Sequence, residues 1–163
     1  MTSERVFLIA PVDTVLIAEP TVDSRPIADA DLRDVAQLIV EASIGLPGRE
    51  LTLDEATARI TELSTGVFGE PRRDAWLGIW EGPGIPVSAI LCTTWRGMPF
   101  IANIVTAVAV RERGFASSLV RAAVTAFNDT GATHVGVSLD RESPAISLFH
   151  ELGFVEMFST GDA

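Results

Sequence analysis

Residues 103–117 hold the densest set of groups that could act together chemically. From Asn103 to Val110 the chain is apolar and β-prone. Gly114 then allows close backbone approach, and a helical pattern follows. A strand that passes into a helix through such a turn leaves the first N–H groups of the helix unpaired, at the positive end of its dipole. That end is an anion cradle, with the donors to hold a pyrophosphate. Ser117 adds a hydroxyl in the first turn, and Arg111 and Arg113 add two cations to an otherwise acidic chain.

Spacing narrows the reading. Arg111, Gly114 and Ala116 fit, without a gap, the pattern of Arg or Gln, two residues, Gly, one residue, then Gly or Ala. This stretch resembles the coenzyme A motif of the GNAT superfamily of N-acyltransferases. The likeness continues over residues 143–154, where Ser143 and Pro144 open a helix and Leu152, Gly153 and Phe154 close it, as in the last motif of that family. Residues 24–38 also look like the family's opening strand and first helix.

The resemblance implies acyl-coenzyme A-binding motifs over residues 100–154. Ile104, Val105 and Thr106 would splay from the neighbouring strand and pair with the pantetheine arm. Arg111 would open the cofactor-binding motif, and Glu112, Arg113, Gly114, Phe115, Ala116 and Ser117 would hold the pyrophosphate. Backbone N–H groups near Val105 and Thr106 would hold the oxyanion, and no metal is implied. The implied activity is transfer of an acetyl group from acetyl-coenzyme A to a primary amine, on a small molecule, peptide or protein, by direct attack.

Two positions depart from the family pattern. Phe149 stands where a tyrosine often protonates the departing thiolate, and the chain has no tyrosine; Glu142 stands where asparagine is usual. A thiol of pKa about 8.5 leaves tolerably as thiolate, whereas an alkylammonium of pKa about 10 must lose a proton before it attacks. The base therefore matters more than the acid, whose loss costs about 10² to 10⁴ in rate. No base declares itself: residues 100–107 carry no carboxylate, and Asn103 is their only amide. Glu50, Glu70 and Glu81 fall in loops and read as solvated acids. His134 begins a strand at the end away from the site, and His150 points about 100° from Phe149 on its helix. Cys92 reads as a buried thiol, and Trp76, Trp80 and Trp95 as packing residues. A second reading follows, of an acyl-coenzyme A-binding sensor whose acceptor half has lost its acid and base.

The elements that must position these groups can be read from periodicity. Residues 6–10 and 15–19 are two β-prone runs around Pro11, expected as an additional N-terminal hairpin, and residues 21–27 as a short strand. Apolar spacing from Leu32 to Ala42 gives a first helix, and Thr52 with Glu55 forms a capping box for a second, with Leu51 and Ala56 as a staple. Residues 75–80, 87–95 and 100–107 read as an antiparallel meander. The order of strand, helix, strand and helix after residue 100 implies a parallel crossover. The fold class is thus α/β of the α+β type: a mixed, splayed, mainly antiparallel sheet flanked by helices.

At 163 residues, 47% hydrophobic and 21% charged, the chain fits one globular domain over residues 1–163. A net charge of −10 disfavours nucleic acid and would attract a cationic small molecule or peptide. One cysteine excludes an internal disulfide and a thiolate zinc site. Pro11 and Asp13 break the N-terminal apolar runs, so neither a signal peptide nor a membrane span is expected, and the default compartment is the cytoplasm. The expected partner is the unidentified amine acceptor, and a homodimer is compatible with this reading.

Overall fold

The computed structural model describes residues 4–45 and 48–157. Of the loop expected at 46–50, Leu46 and Pro47 thus lie outside the described residues, as do both ends of the expected domain. Among the described residues, eight strands form one sheet. They are β1 (Arg5–Pro11), β2 (Arg25–Pro26), β3 (Glu70–Pro71), β4 (Leu77–Ile79), β5 (Ser88–Trp95), β6 (Met98–Thr106), β7 (His134–Asp140) and β8 (Val155–Glu156). Their order across the sheet is β2-β4-β5-β6-β7-β1-β8, with β3 paired to the far end of β5. The β6–β7 pair is parallel and the other pairs are antiparallel. A fold with a mixed, mainly antiparallel sheet is therefore what the sequence encodes.

Helices cover both faces. On one side α1 (Val12–Val15), α4 (Phe115–Asp129) and α5 (Ala145–Glu151) bury Val15, Leu119, Phe127 and Phe149 against the sheet. On the other, α2 (Leu32–Ser43) and α3 (Leu53–Ser64) bury Val35, Leu38, Ile60 and Leu63. The capping box that starts α3 is formed: Glu55 N–H donates to Thr52 Oγ1 at 3.1 Å, and Thr52 N–H donates to Glu55 Oε1 at 3.0 Å. Leu51 and Ala56 join the same apolar cluster beneath it. The β5–β6 hairpin turns through Arg96 and Gly97 at φ 52° and 80°, the two positive values that a two-residue turn matched to strand twist requires.

The N-terminal hairpin is corrected. β1 pairs along its whole length with β7, from Arg5 opposite Asp140 to Pro11 opposite His134, while residues 12–15 form a helical turn. Val12 and Val15 are three residues apart, a helical and not an alternating spacing. Both are buried against the α4 face, so the second apolar run ends in packing instead of in a strand. The alternation of β1 buries Val6, Leu8 and Ala10.

One end of the sheet is clamped and the other is parted. β6 and β7 pair only at Phe100 with Gly136 and Ile101 with Val137. A side chain at Gly136 would meet Met98 Cε and Phe7 Cζ at 2.9 Å, and the Phe7 and Phe100 rings stack at 5.9 Å across the join. Beyond that clamp the register of β5 with β6 slips by one residue, because Leu91 faces Asn103 while Cys92 faces Ile101. Ala102 is the extra residue of a β-bulge, which bends β6 at the point where it leaves β7. From there β6 stays with β5 and β7 with β1, and a gap opens between the two pairs.

Leu8→Ala tests whether β1 is integral to the fold. Leu8 is 1% exposed and Ile17 84%. We expect Leu8→Ala to cost about 2–5 kcal/mol in denaturant unfolding, and Ile17→Ala to change stability by under about 0.5 kcal/mol.

Candidate functional site

The gap between β6 and β7 widens into a cleft of about 890 Å³. Four groups of residues line it: residues 103–106 of β6, the turn and first turns of α4, the start and inner face of α5, and the end of α2 with the loop residues Arg49 and Leu51 and Arg59 from the middle of α3. The opening joins the two faces of the sheet, since α4 and α5 lie on one and α2 and α3 on the other.

The backbone of β6 sets what the gap offers. Along an antiparallel strand the N–H and C=O of one residue point the same way, and successive residues alternate. Val105 C=O accepts from Ser88 Oγ at 3.1 Å and Ala107 N–H donates to Val87 C=O at 2.8 Å, both on the β5 side. Thr106 C=O instead accepts from Arg111 Nε at 3.3 Å on the other side. The backbone groups of Ile104 and Thr106 therefore face the gap, where β7 has withdrawn. Of the two backbone donors expected near the thioester, Thr106 N–H is open to the cleft, and Val105 N–H is turned into the ladder with β5.

The cradle at the head of α4 is built by unusual dihedrals. Gly114 sits at φ 82° and Glu112 at φ 66°, the latter rare for a residue with a side chain. An added Cβ at Gly114 would touch nothing closer than Thr21 Oγ1 at 3.8 Å, so it is the left-handed dihedral and not lack of space that calls for glycine. The first intrahelical bond runs from Ser118 N–H to Gly114 C=O at 3.1 Å. The N–H groups of Phe115, Ala116 and Ser117 precede it and point out of the helix end. Ser117 Oγ donates to Gly114 C=O at 3.1 Å and keeps its lone pairs for other donors. The site residues fit a bound pyrophosphate.

Ile104, Val105, Thr106, Arg111, Glu112, Gly114, Phe115, Ala116 and Ser117 all line the cleft. Arg113 does not. Its guanidinium lies against Glu81 at 2.8 Å and over the Phe115 ring at 4.9 Å, which turns its charge to the β4–β5 loop. Arg111 is partly engaged as well: besides Thr106 C=O it donates to Ala42 C=O at 3.5 Å, at the negative end of α2.

Behind the cradle, buried Ser118 fixes the segment that follows α1. Its Oγ accepts Thr21 N–H at 3.0 Å and Val22 N–H at 3.2 Å. Arg121, one turn further along α4, lines the cleft and donates Nε to Val15 C=O at 3.4 Å. The N-terminal segment thus braces the helix that bears the cradle.

The remaining expected residues fall as follows. Phe149 is fully buried, edge-on to Phe154 at 5.0 Å, and does not line the cleft. Asn103 lines it, and its amide has no protein partner among the described residues. Glu50, Glu70 and Glu81 do not line it, whereas Glu112 and Glu151 do. His134 borders a separate hollow at the opposite end of the sheet, and His150 is on the exposed side of α5. Cys92 is fully buried, and desolvation pushes its thiol far above the ordinary range, so it is inert. Trp76 is core and donates Nε1 to Cys92 C=O at 2.8 Å. Ser143 Oγ accepts Ala145 N–H at 3.2 Å just ahead of α5, whose cap position is Pro144, one residue later than the expected Ser143. Sequence reading missed Arg49, Arg59 and Arg121 in the cleft. Only Arg121 had a signal, its i,i+4 spacing from Ser117.

Comparison with known proteins now decides the family. The model of the FR47-like protein family matches residues 77–161, just over half of the chain. The chain belongs to that family, a branch of the GNAT superfamily. Solved GNAT structures share its fold. A GCN5-related N-acetyltransferase from Sphaerobacter thermophilus superposes with TM-score 0.68 at 17% identity, over 94% of this chain and 48% of that one. A GNAT acetyltransferase from Colwellia psychrerythraea gives 0.70 at 14%, over 95% and 53%. A putative acetyltransferase from Agrobacterium tumefaciens gives 0.58 at 23%, over 85% and 96%. The FR47-like chain thus spans about half the length of the first two and nearly all of the third. No curated protein matches it.

Two sets of variants test this geometry. Gly114→Ala should cost about 1–2 kcal/mol in stability, the strain of a left-handed non-glycine residue, measured by denaturant unfolding. Ile104→Pro removes an N–H that faces the gap, and Val105→Pro removes one committed to β5. Thermal melts should show the larger loss for Val105→Pro, with Ile104→Pro still folded.

Proposed function

We propose that this FR47-like chain is an acetyl-coenzyme A-dependent N-acetyltransferase that acts on a primary amine by direct attack. The observation that carries the reading is the parting of β6 from β7 beside a helix whose first N–H groups are unpaired. An extended arm and a pyrophosphate need those two features together, at the spacing found here. Acetyl-coenzyme A would supply the activated acyl group.

Each residue then has a defined task. Gly114 to Ser117 hold the pyrophosphate by backbone N–H groups and the helix dipole. The backbone of Ile104 and Thr106 aligns the pantetheine arm as an added strand would, and Thr106 N–H faces negative charge on the acyl oxygen. Arg111 ties the end of β6 to the end of α2 and so sets the width of the entrance. Among the described residues β6 offers the cleft Asn103 and no carboxylate, and the lining acids are Glu112 beside the cradle and Glu151 on α5, so the amine would arrive deprotonated or lose its proton to water. That supports a slow enzyme that works through positioning, with effective molarity as its main source of rate.

The second reading, a coenzyme A-responsive module without turnover, draws on Phe149. Its ring is buried, so it leaves no proton donor at that position, and a water cannot take its place there. The two readings separate in one pair of measurements. Coenzyme A should raise the melting temperature of the full chain, and acetyl-coenzyme A with an amine panel should release thiol. Protection without thiol release selects the module, and no protection rejects both.

A further inference from the structure

The charge inside the cleft runs opposite to the charge of the molecule. All 12 basic residues are arginine and the net charge is −10. Yet the charged side chains lining the cleft are Arg49, Arg59, Arg111 and Arg121 against Glu112 and Glu151. A concave site focuses such a local excess, so the whole-chain charge is a poor guide to what enters.

These arginines divide by element. Arg111 and Arg121 belong to the cradle and to α4, and a phosphorylated arm would account for them. Arg49 and Arg59 come from the α2–α3 side, the face of the sheet opposite α4 and α5, which the cofactor's arm would reach only through the gap. Arg49 is held by Asp140 at 3.1 Å and Glu142 at 3.7 Å, an arrangement that latches the α2–α3 loop to the end of β7. Arg59 is in a different state. Among the described residues no carboxylate lies within ion-pair distance of it. Of the acids one turn away on α3, Glu55 is turned back onto Thr52 N–H at 3.0 Å, and Glu62, three residues on, forms no ion pair with Arg59. Ile39 and Leu51 supply an apolar wall on the same side.

Resting on the acyl-transfer reading, we infer that the acceptor is an amine that also bears a carboxylate, with Arg59 as the residue that binds it. A guanidinium fork that lines a cleft with no carboxylate in ion-pair contact matches a carboxylate in two parallel hydrogen bonds. The apolar wall takes the hydrocarbon part, and the amine is left directed to the gap. A cationic acceptor, which the surface charge alone would favour, meets like charge at this mouth.

Matched substrates test the inference on the full chain with acetyl-coenzyme A. L-phenylalanine and L-leucine are each compared with their carboxamide and with the decarboxylated amine, with kcat/KM read from thiol release. The carboxylate-bearing amines should be preferred by about 10-fold or more. Arg59→Gln should erase that preference through KM, Arg59→Lys should restore part of it, and Arg33→Gln, outside the cleft, should leave it intact. Equal or better turnover of the carboxamides or decarboxylated amines by the unaltered chain overturns the inference without any variant. So does a preference that survives Arg59→Gln, or coenzyme A protection with no amino acid acetylated. Failure of coenzyme A to protect against thermal unfolding removes the acyl-transfer reading as well, which distinguishes the two failures.

Discussion

The structure depends on a sheet that is joined at one end and open at the other. A parallel pair of strands, once started, gains by continuing, because each further residue satisfies backbone groups that would otherwise need water. β6 and β7 stop after two residue pairs, and the reason is steric and local. Phe7, Met98 and Phe100 close over Gly136 and fix the strands there, while the bulge at Ala102 turns β6 away just beyond. Each strand keeps its other neighbour, so parting them exposes one row of backbone groups on each without loosening the sheet. Those of β6, on Ile104 and Thr106, give the cleft its strand-like backbone wall.

The same constraint explains why the N-terminal strand is needed. β7 would be an open edge along its whole length if β1 did not pair with it, and an edge strand has little reason to stay rigid. With β1 in place, β7 is held on one side and free on the other only where the gap lies. The chain then crosses to α4, where Ser118 and Arg121 take hold of the backbone at Thr21, Val22 and Val15. One N-terminal segment therefore supports both walls of the site, the strand and the helix.

Much of this was legible in the sequence, and what was not has a physical cause. The left-handed turn at Gly114, the capping box at Thr52 and the crossover from β6 through α4 to β7 are set by residues near one another, so spacing reveals them. The strand at β1 was also visible, but its partner was not, because pairing across more than a hundred residues leaves no local mark. Residues 15–19 misled for a related reason: a valine, a leucine and an isoleucine suit a strand by type, whereas contact with α4 closes residues 12–15 into a helical turn. The cleft followed the same division. Nine of the ten expected cofactor residues line it because they fall within two short, neighbouring runs of sequence, while Arg49 and Arg59 arrive from another layer.

Arg113 shows why residue type near a motif is weaker evidence than backbone geometry. It lies one position from Gly114 and carries the right charge, yet its guanidinium pairs with Glu81, half exposed, where such a pair contributes little. The cradle does not need it. Backbone N–H groups at a helix end are fixed by the fold, desolvated without cost in side-chain entropy, and directed at one point. A flexible arginine beside them is recruited by whichever carboxylate the loops bring closest. The binding half of this site is thus written in dihedral angles, which glycine and the bulge secure. The acceptor half is written in side chains from a second layer, so related chains can keep the first and change the second freely.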